Sequence, residues 1–235
     1  MDQVARHKLT FATIAALVGI SYIFIMRTMS TIIPALFGNL TIVQIITVTS
    51  LIASLAIVLF FIVFYIYYVQ QDQVRLAGAT LLSILGRCGM LLLHIKTLLR
   101  VFSIYVLTSF VYSYHFLDRF FPWVSSLFTF IFFYVFYREL AGSNKKQLRN
   151  ATILSAIGSF VILLMQTFFM LHYFFARGVT PPAGFPQALG VVFYVILILN
   201  FSAILFFFIS FYRNIATEFL SRGSEPGLSA RVGSS

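Results

Sequence analysis

Apolar residues run through this chain in long unbroken stretches, divided by short polar or basic breaks. The segments 9–27, 41–69, 76–95, 98–117, 119–137, 151–176 and 187–212 are each predominantly apolar. A helix needs about 18 or more such residues to cross the hydrocarbon core of a bilayer. A transmembrane β-barrel would instead alternate polar and apolar positions, and SLIASLAIVLFFIVFYIYYV at 50–69 does not alternate. The pattern predicts an all-α integral membrane protein.

Two short patterns recur in fixed order along these stretches. ATIAALVG (12–19), ATLLSILG (79–86) and ATILSAIG (151–158) each follow basic residues: Arg6 and Lys8, then Arg75, then Lys145, Lys146 and Arg149. Each block is followed by an aromatic stretch, FFIVFY (60–65), FFYVFY (132–137) or FFISFY (207–212). A period of about 72 residues predicts three tandem helical hairpins, over 6–73, 74–145 and 146–218. The membrane bundle is then expected over 1–221, with the Gly/Ser-rich segment 222–235 as a disordered cytoplasmic tail.

Three hairpins make about six transmembrane helices with both termini cytoplasmic, but residues 74–119 hold two apolar segments where one is needed. In one arrangement 74–96 lies in the membrane plane and 98–117 crosses. The Lys and Arg at 6, 8, 75, 87, 96, 100, 138, 145, 146, 149, 213, 222 and 231 are then cytoplasmic, with Arg27, Arg119 and Arg177 outside. In the other, 79–95 crosses and 98–117 lies against the outer face. Arg87 then sits at mid-membrane, and Lys96 and Arg100 join the outer set. The tendency of basic residues to stay inside favours the first arrangement, and the repeat favours the second. Seven spans with an external N-terminus is the alternative to six.

Composition fits this reading. Hydrophobic residues make up 60% of the 235-residue chain and charged residues 9%. Soluble domains carry about 25% charged residues, so a water-facing surface cannot be assembled. The net charge of +10 is expected to meet anionic lipid headgroups at the cytoplasmic face rather than nucleic acid. Cys88 is the single cysteine, which excludes an intrachain disulfide and a cysteine-based zinc site. The polar, basic start MDQVARHK, with no convincing cleavage site after it, predicts a retained first span.

Few residues are suited to chemistry. The acids are Asp2, Asp72, Asp118, Glu139, Glu218 and Glu225, and none falls in the middle of an expected span, where proton and cation pathways place a carboxylate. No P-loop, HExxH, GxSxG or GxGxxG pattern occurs. The chain is therefore expected not to be an enzyme. Arg87 is the most informative residue: its counterparts in the aligned blocks are Ile20 and Ser159, so the middle hairpin alone has a charge there. Arg75, Thr80, Ser83, Arg87 and His94 share one helical face, either the wet side of an in-plane helix or the lining of a polar interior. Gln44, Gln166 and Asn200 are further candidates for that lining, with hydrogen bonding between helices as their ordinary role.

His115 and His172 stand on different segments and could together hold a b-type haem, although no cofactor is predicted. Tyr65, Tyr68, Tyr137 with Arg138, and Tyr212 with Arg213 are expected to anchor helices at headgroup depth. Asn39-Leu40-Thr41 is a glycosylation sequon close to a span. The expected protein is a multi-pass component of the cell membrane. It is non-enzymatic, in contact with the lipid bilayer and with a membrane protein partner, and serves as a sensor or accessory subunit. The alternatives are a small permease or channel component for a polar or anionic solute, and a haem-bearing electron carrier.

Overall fold

A computed structural model describes residues 3–33, 40–102, 116–175 and 185–223. Six helices carry the described chain: α1 Gln3–Ile32, α2 Leu40–Val69, α3 Val74–Val101, α4 Leu117–Glu139, α5 Lys146–Phe175 and α6 Phe185–Gly223. Each contains a stretch long and apolar enough to cross a membrane, from 20 residues in α1 to 30 in α2. The expected helical membrane bundle of six spans is the observed fold. His115, the sequon asparagine Asn39, most of 98–117 and most of the tail lie outside the described residues. α6 continues past Tyr212 to Gly223, so the helix enters the first residues of the segment expected to be unstructured.

Each helix packs on the next along the chain, and α1 packs on α6, so the six close into a ring. Neighbours run antiparallel. Gly19 of α1 meets Ala53 of α2 and Gly86 of α3 meets Ser125 of α4, while Phe160 of α5 lies against Phe130 of α4. With six antiparallel helices, the N-terminal end of α1 and the C-terminal end of α6 are at the same end of the bundle. The turns between α2 and α3 and between α4 and α5 are short and lie at that end too. Asp72 turns the first of them with a φ of 55°, a left-handed conformation that a short polar side chain tolerates.

The in-plane arrangement of 74–96 is overturned. α3 lies between α2 and α4 along its length, held by hydrogen bonds and close helix contacts that an interfacial helix would not make. Thr80 and Ser83, placed on the water-facing side by that arrangement, are buried. Charge statistics misled here because only a few residues differed between the two arrangements. Packing decided it: the small residues of ATLLSILG let α4 approach.

Two local contacts appear in all three hairpins, and a third in two of them. Thr13, Thr80 and Thr152 are fully buried and return their hydroxyls to the carbonyls of Leu9, Leu76 and Leu148 at 2.6, 2.6 and 2.7 Å, which satisfies the polar group inside the helix. One turn on, Ser83 and Ser155 donate across the interface to the carbonyl oxygens of Phe128 (3.1 Å) and Ala203 (2.9 Å); the first hairpin has Ala16 there. A β-carbon on Gly19, Gly86 or Gly158 would come within 2.7 Å of the Ala53 carbonyl oxygen, 2.9 Å of the Ser125 α-carbon or 2.6 Å of Asn200 Oδ1. Lacking one, these glycines bring α2, α4 and α6 close to their partners.

The core lies toward the end that holds the two short turns. Phe61 meets Phe132 at 5.1 Å between ring centroids, Phe133 meets Phe207 at 5.0 Å, and Phe208 meets Phe60 at 4.7 Å. The second phenylalanine of each FFxxFY stretch thus touches the first of the next, and the circuit closes. Phe64, Phe136 and Phe211 form a triangle with centroid separations of 5.8, 6.0 and 5.5 Å. All nine rings are buried, and their edge-to-face and tilted contacts are the favourable ones for aromatic quadrupoles. They fill the axis of the bundle at this level.

Candidate functional site

Arg87 stands near the middle of α3, on the line of Leu76, Thr80 and Ser83 that faces the bundle interior. Its counterparts Ile20 and Ser159 are buried, at 3% and 2% exposure, so this register position points inward on α1 and α5. The Arg87 guanidinium donates through Nη2 to Thr129 Oγ1 of α4 at 3.4 Å, while its Nε is buried and makes no hydrogen bond within the described chain. An arginine at this depth costs roughly 2.5–3.5 kcal/mol on insertion scales, and a single long hydrogen bond offsets little of that.

Two further buried polar atoms lack hydrogen bonds at the same level. Ser159 Oγ is one and Asn200 Oδ1 is the other. Asn200 lies against Gly158, next to Ser159. The α4–α5 contact of Phe130 with Phe160 sets the height of Thr129 and Ser159 as nearly equal. A fourth such atom, Ser210 Oγ, belongs to the FFISFY stretch among the aromatic rings. Arg87, Thr129, Ser159 and Asn200 therefore lie at similar depth just beyond the phenylalanines, where the aligned positions Ile20, Ala53, Ile57 and Ile204 are apolar and buried. Asp118 pairs with Lys96 at 2.7 Å near the far end of α3.

The other expected lining residues divide. Thr80 and Ser83 are buried, but their hydroxyls are taken by Leu76, Ala79 and Phe128. Their O–H donors are thus spent on securing helices. Arg75 is exposed at the start of α3. His94 is half-buried, with its Nδ1 at 2.9 Å from the Met90 carbonyl of its own helix. Gln44 and Gln166 are half-buried on α2 and α5. The sequence did not single out Thr129, which lacks any distinguishing context. Ser159 is legible only as the counterpart of Arg87.

His172 is exposed on α5 and its ring stacks on Phe168 at 6.3 Å. Its suggested haem partner His115 lies outside the described residues, so the two are not brought together here. Among the described residues no group of three or more His, Cys, Asp or Glu is placed to hold a metal. Tyr65, Tyr68, Tyr137 and Tyr212 are half-buried, and Arg138 and Arg213 exposed, at the aromatic end of the bundle. Tyr68 packs on Phe64 at 4.4 Å.

These features define a polytopic α-helical membrane protein: six membrane-length helices in a closed ring, packed with phenylalanine toward one end and carrying Arg87 near mid-depth. No protein-family model, curated protein or solved structure matches the chain.

Proposed function

We propose that the chain is a non-enzymatic, triplicated-hairpin membrane protein that works as a sensor or accessory subunit through helix packing and contact with a membrane partner. The observation that carries this reading is the closed circuit of six phenylalanines with the triangle of three beside it. A continuous hydrophilic route along the bundle axis would have to pass through these rings, whereas a scaffold that must hold its shape gains from them. The triplication, over 6–73, 74–145 and 146–218, is supported by the recurrence of the threonine, small-residue and aromatic contacts at aligned positions. The orientation follows from charge: Arg6, Lys8, Arg75, Arg138, Lys145, Lys146, Arg149 and Arg213 belong to the aromatic end, which would face the cytoplasm and its anionic headgroups.

One observation favours a second reading, a small permease for polar or anionic solutes: the under-satisfied Arg87 at mid-depth. Flux through proteoliposomes separates the two. The sensor or accessory reading expects wild-type vesicles to be as tight to small anions as protein-free ones. Anion flux abolished by Arg87→Leu would replace it with the permease. A Soret band in the purified protein, lost in His172→Ala, would replace it with a haem carrier.

A further inference from the structure

We propose that the turn between α4 and α5 is a docking site for a lipid with a phosphomonoester headgroup, held by Arg138, Lys145, Lys146 and Arg149. The proposal rests on the reading that the aromatic end of the bundle meets anionic headgroups, and it names the place on that end and the headgroup that fits it.

Comparison between the hairpins singles this turn out. The segment 137–150, YRELAGSNKKQLRN, holds four basic residues and one acid, Glu139, a net charge of +3 from four minus one. The aligned segment 65–78, YIYYVQQDQVRLAG, holds Arg75 and Asp72 and is neutral. The fold therefore makes the same connection between α2 and α3 without excess charge. The cations between α4 and α5 are not demanded by the architecture.

Packing holds those cations on a fixed frame. Leu140 and Leu148 are buried at 9% and 3% exposure, which pins the turn to the core from both sides. The backbone between them is bonded to itself: the N–H of Ala141 donates to the Arg138 carbonyl at 3.2 Å and that of Ser143 to the Leu140 carbonyl at 3.0 Å. The Arg149 N–H donates to the Lys145 carbonyl at 2.9 Å. A framework that is already ordered lowers the cost of gathering several side chains on one ligand. Arg138 and Lys146 are exposed, and Lys145 and Arg149 half-buried. A β-carbon on Gly142 would meet nothing within 4 Å, so the outer side of the turn is open to approach.

Depth and charge then select the ligand. Tyr137 ends α4 at the level of the aromatic anchors, which settle among headgroups, so the anion at hand is a lipid phosphate. Surface lysine and arginine attract any acidic lipid, by about fivefold each. A phosphodiester lipid such as phosphatidylserine offers little beyond that. A phosphomonoester carries about −1.5 to −2 charges and three strong acceptor oxygens. Two guanidinium forks and two ammonium groups can answer all of them. α5 begins at this turn with no acid in its first turn, so its dipole adds to the positive potential.

The test compares acidic lipids at matched surface charge. Purified protein is reconstituted in phosphatidylcholine nanodiscs containing phosphatidic acid, phosphatidylinositol monophosphate or phosphatidylserine, and the thermal unfolding midpoint is followed. A lipid that binds the folded state raises it. The expected result is a larger rise with at least one phosphomonoester lipid than with phosphatidylserine, and the lipid that gives it identifies the headgroup. Lys146→Gln combined with Arg149→Gln should remove that difference, and the exposed Arg138→Gln should reduce it. Lys8→Gln combined with Arg75→Gln takes the same charge from the same end and should leave it intact. An equal rise with all three lipids overturns the proposal, as does an equal loss in the two double variants, since either leaves only diffuse attraction. Nanodiscs present lipid to both ends of the bundle, so this outcome does not depend on which end is cytoplasmic. An error in that orientation would appear in side-specific labelling instead, and the two can fail separately.

Discussion

Gly86 and Gly78, eight residues apart on one helix, ought to respond to alanine in opposite directions. A β-carbon at Gly86 would come 2.9 Å from the Ser125 α-carbon, which is backbone and cannot swing aside, whereas Gly78 has nothing within 4 Å. Gly86→Ala should therefore destabilise by about 1–3 kcal/mol, the usual range for overpacking. Gly78→Ala should stabilise by up to ~1 kcal/mol, since alanine is the better helix former. Thermal unfolding in detergent measures both, and a common sign would contradict the packing described. Phe64, Phe136 and Phe211 give a second comparison. Each is buried in the same triangle, so truncation of any one to alanine should cost about 3–5 kcal/mol. Unequal losses, with one position indifferent, would argue against equivalent roles.

One of the hydrogen bonds between the paired helices is present in the second and third hairpins and missing from the first. Ser83 and Ser155 each donate to a carbonyl of the facing helix, and Ala16 cannot. Such bonds average about 0.6 kcal/mol in membranes. Ser83→Ala and Ser155→Ala should each lose that amount, and Ala16→Ser should gain up to a similar amount by reaching the carbonyl of Ala56. A double-mutant cycle on Lys96 and Asp118, whose side chains are 22% and 41% exposed, should return no more than about 1 kcal/mol.

Helices were legible in the sequence because a membrane span announces itself by length and composition alone. The close approaches at Gly19, Gly86 and Gly158 were legible through the AT…G blocks, since small residues and a back-bonded threonine are what a close helix contact requires. The path of 74–96 was less so. A half-polar face reads identically whether it meets water or the facing helix, and only the approach of α4 distinguishes them. The mid-depth site was half visible. Arg87 is conspicuous anywhere in an apolar chain, but Thr129 and Ser159 acquire meaning only from the register between helices.

At the scale of the whole molecule, the antiparallel ring fixes which segments share a face of the membrane. In a Cys88→Ser background, single cysteines at Asp72 and Asn144 should react with a membrane-impermeant maleimide from the same side, and one at Thr97 from the opposite side. Labelling of 72 and 97 from one side would return 74–96 to the membrane plane. With the aromatic end facing the cytoplasm, as proposed, intact-cell labelling of Thr97 alone is the expected outcome.

The ring also closes between the first helix and the last. Phe60 has its nearest cross-helix ring in Phe208, which the ribosome delivers after almost everything else. During synthesis the leading hairpin must wait in the bilayer with that flank bare while the other two are threaded in. A chain halted before Phe185 is then an open crescent rather than a shorter bundle, and quality-control proteases should clear it far faster than the finished protein.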